Sequence, residues 1–391
     1  MSRIDDLIQE LCPDGVQRRP LGEFATLVRG NGMPKTDLVE EGVGAVHYGQ
    51  IYTRYGVSAT ESFSFVSPEK AAKLAKAEPG DIIITNTSEN IDDVGKALAW
   101  VGDAVIVTGG HATVIKHDQD SKFLAYWFAS ADFYAQKRKL ATGTKVIDVS
   151  AKQLATVRIP VPPLEVQREI VRVLDKFTQL EAELEAELEA RRAQYEHYLR
   201  STVLPTAGIE WTTLGEATLN HDRKRKPVTR SDRKGGEYPY YGANGVQDYV
   251  HDFIFDGTFL LVGEDGSVKN ADGTPILNWA TGKIWVNNHA HVLTSAGEDF
   301  NLRYLYYYLA TVDVTTYVTG GTQPKINQKN LNKVPVPLVP RSFQDDVVGV
   351  LDRFDALVND ISVGLPAELA ARRKQYEYYR DRLLTFKELA A

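Results

Sequence analysis

The histidine pair in His289-Ala290-His291 is the first candidate for metal chemistry in this sequence. Alternate residues of a β-strand face the same side, so the two imidazoles could bind one ion. No third ligand stands out, and the related triplet Gly110-His111-Ala112 has a single histidine. We therefore predict no metal site and expect these histidines to pack or to stabilise turns.

Motifs for nucleotide binding and covalent catalysis are incomplete. The Gly-Lys dipeptides are followed by Ala97 and Ile284, where a phosphate-binding P-loop needs serine or threonine. Gly30-Asn31-Gly32 lacks the third glycine of a dinucleotide fingerprint, and no GxSxG motif occurs. The Pro162-Pro163 pair lacks the flanking residues of an amino-methyltransferase site. We predict that the chain is not an enzyme and holds no cofactor of its own.

Composition limits the class of protein further. The chain has 391 residues, 43% of them hydrophobic, which favours several packed domains over disorder. Its one cysteine, Cys12, excludes a disulfide framework and a Cys-x-x-Cys zinc site. No apolar run reaches membrane-helix length, and the N-terminal residues do not form a signal sequence. We expect a soluble, cytoplasmic protein without a membrane segment.

An internal repeat organises the chain. Residues 167–177 recur as 344–354, and residues 191–198 recur as 372–379, so the offset grows from 177 to 181. Weaker matches pair further positions outside these segments: Leu21-Gly22-Glu23 with Leu214-Gly215-Glu216, Tyr48-Gly49 with Tyr241-Gly242, and Leu124 and Tyr126 with Leu302 and Tyr304. The pattern indicates a shared scaffold with two differently specialised domains.

Both copies of the strong repeat are predicted to be helical. Apolar residues recur every three or four positions over 165–203, between Pro162-Pro163 and Pro205. The second copy starts near Phe343, and Pro366 should kink or restart it. Such amphipathic helices are expected to pack as an antiparallel coiled coil, which would place the two domains at opposite ends.

The regions outside these helices are mixed and rich in strand. Short apolar runs at 81–85, 104–107 and 258–262 predict strands, whereas 123–128 and 302–309 predict packed helices. The predicted fold class is α+β, with two strand-rich globular domains, two long antiparallel helices and an internal pseudo-twofold repeat. The predicted segments are a first domain 1–163, a central helical spacer 164–204, a second domain 205–341 and a distal helical spacer 342–391.

The net charge of −7 argues against indiscriminate nucleic-acid binding, but the charge is uneven. The two helical segments carry −3 and −2, the first domain carries −2, and the second domain is neutral. Basic clusters occur at 223–226 with Arg230, Arg233 and Lys234, and at 137–139 with Lys145 and Lys152. A charge run is often only a solvated face. In a neutral domain, however, the first cluster suits contact with phosphate.

Two related domains on a helical spacer suit a ligand with two sites at a fixed separation. Duplex DNA is such a ligand, because its helical repeat sets the distance between half-sites. Basic residues would hold the phosphates, while amide, basic and tyrosine side chains would read base edges. A coiled-coil adaptor with two protein- or glycan-binding domains is the alternative. Footprinting on DNA would separate the two hypotheses.

The helical motifs resemble a known family. Residues 162–175, PPLEVQREIVRVLD, are similar to the central conserved region of the DNA-specificity subunit of type I restriction–modification systems. Residues 364–368 and 372–384 resemble its distal conserved region, and residues 7–16 resemble its opening. Arg341-Ser342-Phe343-Gln344 departs from the Pro-Leu-x-x-Gln of the first copy, which could soften the start of the second helix.

The resemblance implies a subunit that binds a bipartite, asymmetric target in double-stranded DNA through two target recognition domains. It implies that two methyltransferase (modification) subunits dock on the helical spacer and that restriction–translocase subunits join them. S-adenosylmethionine, ATP and magnesium would then belong to those partners.

Candidate DNA-binding residues are polar or basic side chains in glycine-rich turns or at strand ends, where loops carry function. In the first domain they are Arg29, Tyr48, Gln50, Thr85, Asn86, His111 and Lys145. In the second domain they are Arg223, Lys224, Arg225, Lys226, Tyr241, Asn244, Gln323, Lys325 and Asn327. The tyrosines Tyr195, Tyr198, Tyr376 and Tyr379 are expected to pack the helices or a partner interface instead.

Overall fold

The computed structural model describes residues 3–205 and 208–389. Contacts divide the chain into two compact units, Met1–Glu183 with Leu369–Ala391, and Leu184–Glu368. We call them the first unit and the second unit. Each contains one strand-rich domain together with part of both helical segments, since the divisions fall inside helices. The four segment boundaries expected from the sequence stay a prediction.

The strand-rich part of the first unit alternates short helices and strands. Its helices are α1 Arg3–Leu11, α2 Leu21–Phe24, α3 Tyr48–Thr53, α4 Pro68–Ala71, α5 Ser121–Phe128, α6 Ala131–Leu140 and α7 Ala151–Leu154. Its strands are β1 Arg18–Pro20, β2 Ala25–Arg29, β3 Leu38–Val39, β4 Val43–Val46, β5 Ser58–Ala59, β6 Ser64–Val66, β7 Ala75–Ala77, β8 Ile82–Thr85, β9 Thr87–Ser88, β10 Ala97–Trp100, β11 Ile106–Thr108, β12 Ala112–His117, β13 Ile147–Asp148 and β14 Arg158–Pro160.

The remaining elements start with the long helix α8, Leu164–Thr202. The later helices are α9 Leu214–Ala217, α10 Leu302–Leu309, α11 Gln328–Leu331, α12 Arg341–Asn359 and α13 Leu365–Leu383. The later strands are β15 Glu210–Thr213, β16 Thr218–Asn220, β17 Gly235–Gly242, β18 Gly245–Val250, β19 Phe255–Gly263, β20 Leu277–Val286, β21 Ala290–Ser295 and β22 Pro335–Leu338. In the described residues, no helix is both long and apolar enough to cross a membrane.

The two units share a four-stranded arrangement. The order β2-β12-β8-β10 in the first unit corresponds to β16-β21-β19-β20 in the second, and neighbours within both sets are antiparallel. The first unit adds β5 to this sheet and has a separate five-stranded sheet, β3-β6-β4-β11-β7. The second unit adds β17 and β18 to the same sheet. The α+β fold class is confirmed, and the units diverge where these additions begin.

Burial explains why the central strands form. Ile82, Ile83 and Ile84 of β8 are fully buried, as are Leu260–Val262 of β19, because apolar clusters lie on both faces of each strand. On α5 and α10 the aromatic and leucine side chains pack into the same cores. These elements lie where the apolar runs predicted them.

The two helical copies differ in continuity. Helix α8 is unbroken over 39 residues, whereas the second copy forms two helices of 19 residues each, α12 and α13. The break covers residues 360–364, and Pro366 lies in the first turn of α13, where proline removes no intrahelical hydrogen bond. The restart expected at Pro366 is confirmed.

Aromatic stacking joins the helices within each unit. In the first unit Phe177 stacks on Tyr379 with 5.4 Å between ring centroids, and Arg373 contacts Glu181 at 2.7 Å, so the two helices run antiparallel. In the second unit Tyr198 stacks on Phe354 at 5.2 Å. Packing was the expected role of these tyrosines. Burial also raises the pKa of Tyr195 and of Tyr376, the latter to about 12.

The structure corrects the alignment of α5 with α10. The backbone N–H of Asp120, the cap of α5, donates to Gln167 at 3.0 Å, and that of Asn301, the cap of α10, donates to Gln344 at 2.7 Å. These bonds set an offset of 181, so Tyr126 corresponds to Tyr307 and not to Tyr304. A shift of three residues keeps the same helix face, and apolar spacing alone therefore could not detect it.

Candidate nucleic-acid interface

Each unit presents a loop of the same construction. Thr142 and Asp148 exchange backbone hydrogen bonds of 2.9 and 2.8 Å, and Thr319 and Lys325 do so at 2.8 and 2.7 Å. We call these the 142–148 loop and the 319–325 loop. Gly143 and Gly320 both have positive φ, at +97° and +84°. The following helices α7 and α11 are capped by Ser150 and Asn327.

A buried frame supports the 142–148 loop in the first unit. The Asn86 side chain donates to the carbonyl of Val149 at 2.7 Å and accepts from the Thr113 hydroxyl at 2.7 Å. Next to it, the Thr87 hydroxyl lies 2.8 Å from Nδ1 of His111. Asn86 and Thr113 are fully buried. The groups in this frame are neutral amides, hydroxyls and one imidazole.

The second unit builds the same frame from charged groups. Glu264 takes the position of Asn86, because its backbone carbonyl accepts from the N–H of Ile326 at 2.8 Å as that of Asn86 does from Val149. The Glu264 carboxylate contacts Arg225 at 2.5 Å and Lys325 at 3.0 Å. In place of the Thr87–His111 pair, Asp265 contacts His289. The frame is therefore ionic in this unit.

His291 completes the ionic frame from β21. Its Nδ1 lies 2.5 Å from an Asp222 carboxylate oxygen, and its Nε2 lies 2.8 Å from the carbonyl oxygen of Ile326. A carboxylate and a carbonyl can only accept, so both contacts are hydrogen bonds when the imidazole carries two protons. Burial by itself raises the pKa of Asp222, but hydrogen bonds from His291 and Val292 and the nearby Arg225 charge bring it below its ordinary value.

Asp222, Glu264 and His291 bring three possible metal-ligand atoms within 4.8 Å of one another. The guanidinium of Arg225 already contacts both carboxylates, at 3.4 Å for Asp222 and 2.5 Å for Glu264. The cluster therefore works as an internal ion-pair network centred on an arginine. His289, the other histidine of the His289-Ala290-His291 segment, lies outside this trio.

Several predicted DNA contacts have structural roles in the first unit. Thr85 and Asn86 are fully buried, and Thr85 donates to the carbonyl of Asp93 at 2.9 Å, so these side chains support the fold and do not reach a ligand surface. The Gln50 side chain accepts from the N–H of His47 and donates to Ser64 at 2.6 Å. Tyr48 begins α3, with its ring centroid 4.8 Å from that of His111.

Three predicted residues of the first unit remain exposed around the 142–148 loop. Arg29 ends β2, donates to the carbonyl of Gly110 at 3.2 Å and lies 3.7 Å from the carboxylate of Asp148. His111 is exposed on the turn before β12, and Lys145 is exposed on the loop itself. By contrast, Lys137 of the nearby basic cluster is buried and donates to the carbonyl of Val94 at 2.8 Å.

The basic run of the second unit is divided by burial. Arg225 points inward into the ionic frame, whereas Arg223, Lys224 and Lys226 are exposed and make no ion pair with any described residue. All four residues of the run were expected to contact phosphate. The guanidinium of Arg225 is not available for that contact, because the carboxylates of Asp222 and Glu264 bind it. The adjacent cavity of about 350 Å³ is lined in part by Lys226, Arg233, Lys234, His251 and Trp285.

The other predicted residues of the second unit differ in accessibility. Gln323 and Lys325 are exposed on the 319–325 loop, whereas the side chain of Asn327 caps the N-terminus of α11. Asn244 is exposed and donates to the hydroxyl of Ser267 at 2.9 Å. Tyr241 lies within β17, whereas Tyr48 begins α3, so the two tyrosines that the repeat match paired do not occupy equivalent positions. The sequence analogy failed there because the two units diverge after the shared strands.

The frame residues Asp222, Glu264 and His291 were not predicted as a group. They come from three segments of the chain that are separated by between 27 and 42 residues. A strict comparison of the repeats at an offset of 178 would have paired Asn86 with Glu264 and Thr113 with His291. That signal was present in the sequence.

Each strand-rich domain is fixed to the helix of its own unit by a carboxylate. Tyr126 and Lys122 both bind Asp175, at 2.8 and 2.9 Å. In the second unit Tyr307 binds Asp352 at 2.5 Å and Arg303 binds it at 2.7 Å. These contacts join each strand-rich domain to the helical part of its own unit.

The chain thus carries two related strand-rich domains, each joined to a helical segment and each with an exposed polar loop. A family model described as the type I restriction modification DNA specificity domain matches residues 13–190 and 211–371. The chain therefore belongs to this family and carries the domain twice. As a specificity subunit it is a non-catalytic component that recognises DNA within a restriction–modification complex.

Curated relatives agree with this membership. A putative type I restriction enzyme specificity subunit of Haemophilus influenzae is 38% identical over 191 residues, which cover 48% of this chain and 49% of the relative. This chain thus matches about half the length of that relative. The EcoR124I/EcoR124II specificity subunit of Escherichia coli is 27% identical over 410 residues, covering 95% of both chains.

Solved structures share the fold. A type I restriction–modification S subunit from M. genitalium superimposes with a TM-score of 0.57 at 15% identity, covering 94% of this chain and 96% of that one. A second structure, solved to describe complex assembly and conformational transition of the type I restriction–modification system, contains a chain that superimposes with a TM-score of 0.60 at 18% identity. The match covers 95% of this chain and 98% of that one.

Proposed function

We propose that this chain recognises a bipartite, asymmetric sequence in double-stranded DNA, with each unit reading one half. The observation that carries the proposal is the pairing of one shared frame with two different sets of exposed side chains. The shared backbone hydrogen bonds hold equivalent loops in the two units, while different exposed side chains on these loops select different bases. The alternative of an adaptor with protein- or glycan-binding domains is not favoured by the family membership.

Phosphate contact in the second unit is assigned to Arg223, Lys224 and Lys226. They are exposed cations on the connection between β16 and β17, without internal ion pairs in the described structure. Such cations can exchange their counterions for DNA phosphates at no cost in internal contacts. In the first unit the half-exposed Arg29 is the corresponding candidate.

Two methyltransferase subunits are proposed to dock on the helical segments, one for each copy. Both copies leave equivalent leucines exposed, Leu180 at 52% and Leu357 at 38%. In the second unit Leu357 lines an apolar groove of about 460 Å³ with Val350 and Phe354. Repetition of an exposed apolar position suits two copies of the same partner.

The remaining parts of the proposed assembly come from the partners. Restriction–translocase subunits would join the methyltransferases. S-adenosylmethionine, ATP and magnesium would act in the partner subunits, so that this chain supplies DNA recognition alone. The assembly would work in the cytoplasm, where the DNA is accessible.

The test is an exchange of target specificity. Residues 24–150 are replaced by the corresponding segment of a relative with a different target, in the full chain coexpressed with its methyltransferase. Methylation mapping should show one half of the target changed and the other half intact. A change in both halves, or methylation that does not depend on this chain, would contradict the proposal.

A further inference from the structure

The 142–148 and 319–325 loops match in main-chain detail. A Cβ on Gly143 would lie 2.1 Å from the carbonyl oxygen of Val146, and one on Gly320 would lie 2.4 Å from that of Gln323. Both close approaches need glycine with positive φ. The same turn therefore displays the three residues after each glycine, Thr144-Lys145-Val146 in one unit and Gly321-Thr322-Gln323 in the other. All six are exposed.

A rigid base holds each exposed tip. Val149 and Ile326, directly after the loops, are fully buried, and their N–H groups donate at 2.8 Å to the carbonyls of Asn86 and Glu264. The Cα positions of the tip are thus set by the frame, whereas the tip side chains contribute nothing to the core. Exposed residues on a fixed turn are the arrangement in which specificity can vary without loss of the fold.

Each loop is also connected to the cationic surface of its unit. In the second unit Lys325 and Arg225 meet at the Glu264 carboxylate, and Arg225 lies between the exposed Lys224 and Lys226. In the first unit the Asp148 carboxylate lies 3.7 Å from Arg29. Cations that hold the phosphates of a duplex would therefore bring its grooves to the loops.

We infer that these two loops are the base-reading elements of the two units. This inference rests on the proposed function and assigns the base contacts to the six tip residues. Lys145 offers only donors, and it matches the N7 and O6 acceptors of guanine. Val146 adds an apolar contact suited to a thymine methyl group. Gln323 offers a donor and an acceptor, the pattern that pairs with adenine N6 and N7. The first loop thus selects guanine and the second selects adenine.

The experiment exchanges only the tips, in the full chain assembled with its methyltransferase. One variant is Thr144→Gly/Lys145→Thr/Val146→Gln, and the reciprocal variant is Gly321→Thr/Thr322→Lys/Gln323→Val. Gly321 has no heavy atom within 4 Å of an added Cβ, so its substitution is tolerated. Binding to libraries randomised across both half-sites measures the preference for each base.

The first variant should lose about 10-fold or more of its guanine preference at one position of one half-site and leave the other half-site unchanged. The reciprocal variant should do the same for adenine in the other half-site. Lys152→Met, an exposed lysine on α7, is the control and should leave both preferences intact. If either triple variant disrupts its loop, Lys145→Met and Gln323→Met decide the question without altering a glycine.

Unchanged base preference in these variants overturns the inference while the proposed function stands. A wild-type assembly without any sequence preference overturns the proposed function itself. A change in both half-sites from one exchanged tip also contradicts the inference, because each loop would then not belong to one half-site.

Discussion

The two units support the same backbone arrangement with different side-chain charges, neutral groups in the first unit and ion pairs in the second. In the first unit a neutral amide, Asn86, supports the loop, whereas in the second a carboxylate, Glu264, does so together with two cations and a histidine. The strand pairing and loop closure are nevertheless equivalent. The comparison teaches that backbone hydrogen bonds define the recognition surface and that side-chain charge can change around them.

Even the sign of the charges reverses between equivalent positions. Continuing the register of β16 beyond its last paired residue, Asn220, places Asp222 at the position of Arg29, and Lys325 takes the position of Asp148. In the first unit Arg29 pairs directly with Asp148, whereas in the second unit Lys325 pairs with Glu264, which also binds Arg225 and through it Asp222. The connection between strand and loop is therefore direct in the first unit and runs through the ionic frame in the second.

The largest expected effect comes from breaking the ionic frame. Glu264→Gln leaves Arg225, whose side chain is 12% exposed, without its main partner, and it should destabilise the second unit by about 3 to 5 kcal/mol. Asn86→Ala removes neutral hydrogen bonds and should cost the first unit about 1 to 3 kcal/mol. Pulse proteolysis of the full chain in urea, with fragments assigned to units, measures both.

The exposed pair of Arg200 with Asp272 provides the matched control for Glu264→Gln. Its side chains are 61% and 49% exposed, so Arg200→Gln should change the second unit by less than about 1 kcal/mol. Equal losses from Glu264→Gln and Asn86→Ala would show that the difference in charge between the frames has no energetic meaning.

A second difference lies in how the units respond to alkaline pH. Burial lowers the pKa of Lys137 in the first unit from 10.5 to about 8. Between these values the unfolded chain binds the proton and the folded chain does not, so the first unit should gain stability as pH rises, by about 3 kcal/mol over the whole window. That gain should disappear as pH falls through about 8.

Lys137→Met should flatten this pH dependence in the first unit. The second unit serves as the internal control, because the cation buried in its ionic frame, Arg225, is an arginine and not a lysine. Urea unfolding of both units at pH 7.5 to 10 is the measurement. An alkaline gain that survives in Lys137→Met would assign the effect to another group.

Salt dependence of DNA binding is expected to differ between the cationic surfaces. Replacing Arg223, Lys224 and Lys226 together by glutamine should weaken binding to all sequences on the order of 100-fold at ~0.15 M salt and reduce the slope of log K against log salt by about 2 to 3. The matching segment of the first unit, residues 30–37, has one cation, Lys35, and Lys35→Gln should change the slope by no more than about 1. An unchanged slope in the triple variant would remove this surface from the interface.

The smallest expected effect concerns the glycine that both loops share, and it tests whether the two loops are equivalent. Gly143→Ala and Gly320→Ala each force a Cβ against a carbonyl oxygen at positive φ and should cost about 1 to 3 kcal/mol, equally in the two units. Gly321→Ala, in open space, is the control and should be nearly neutral. Clearly unequal losses from the two glycine variants would mean that the loops are not equivalent.

Local pattern was sufficient for much of the architecture. Apolar spacing predicted the long helix, Pro366 predicted its interruption in the second copy, and the β-branched run at 81–85 predicted a buried strand. The repeat offsets of 177 and 181 predicted two related units. These features depend on residues close together in the chain, whose conformational preferences and periodicity are properties of the sequence itself.

Only the tertiary structure decided which polar residues are available to a ligand. In the sequence, Arg225 and Lys137 cannot be told from their exposed neighbours in the basic clusters. In the structure, Arg225 binds Glu264, 39 residues away, and Lys137 binds the carbonyl of Val94, 43 residues away. The alignment of α5 with α10 was likewise set by Gln167 and Gln344 on other helices. Burial and hydrogen-bond partners depend on which distant segments fold together, and no local pattern contains that information.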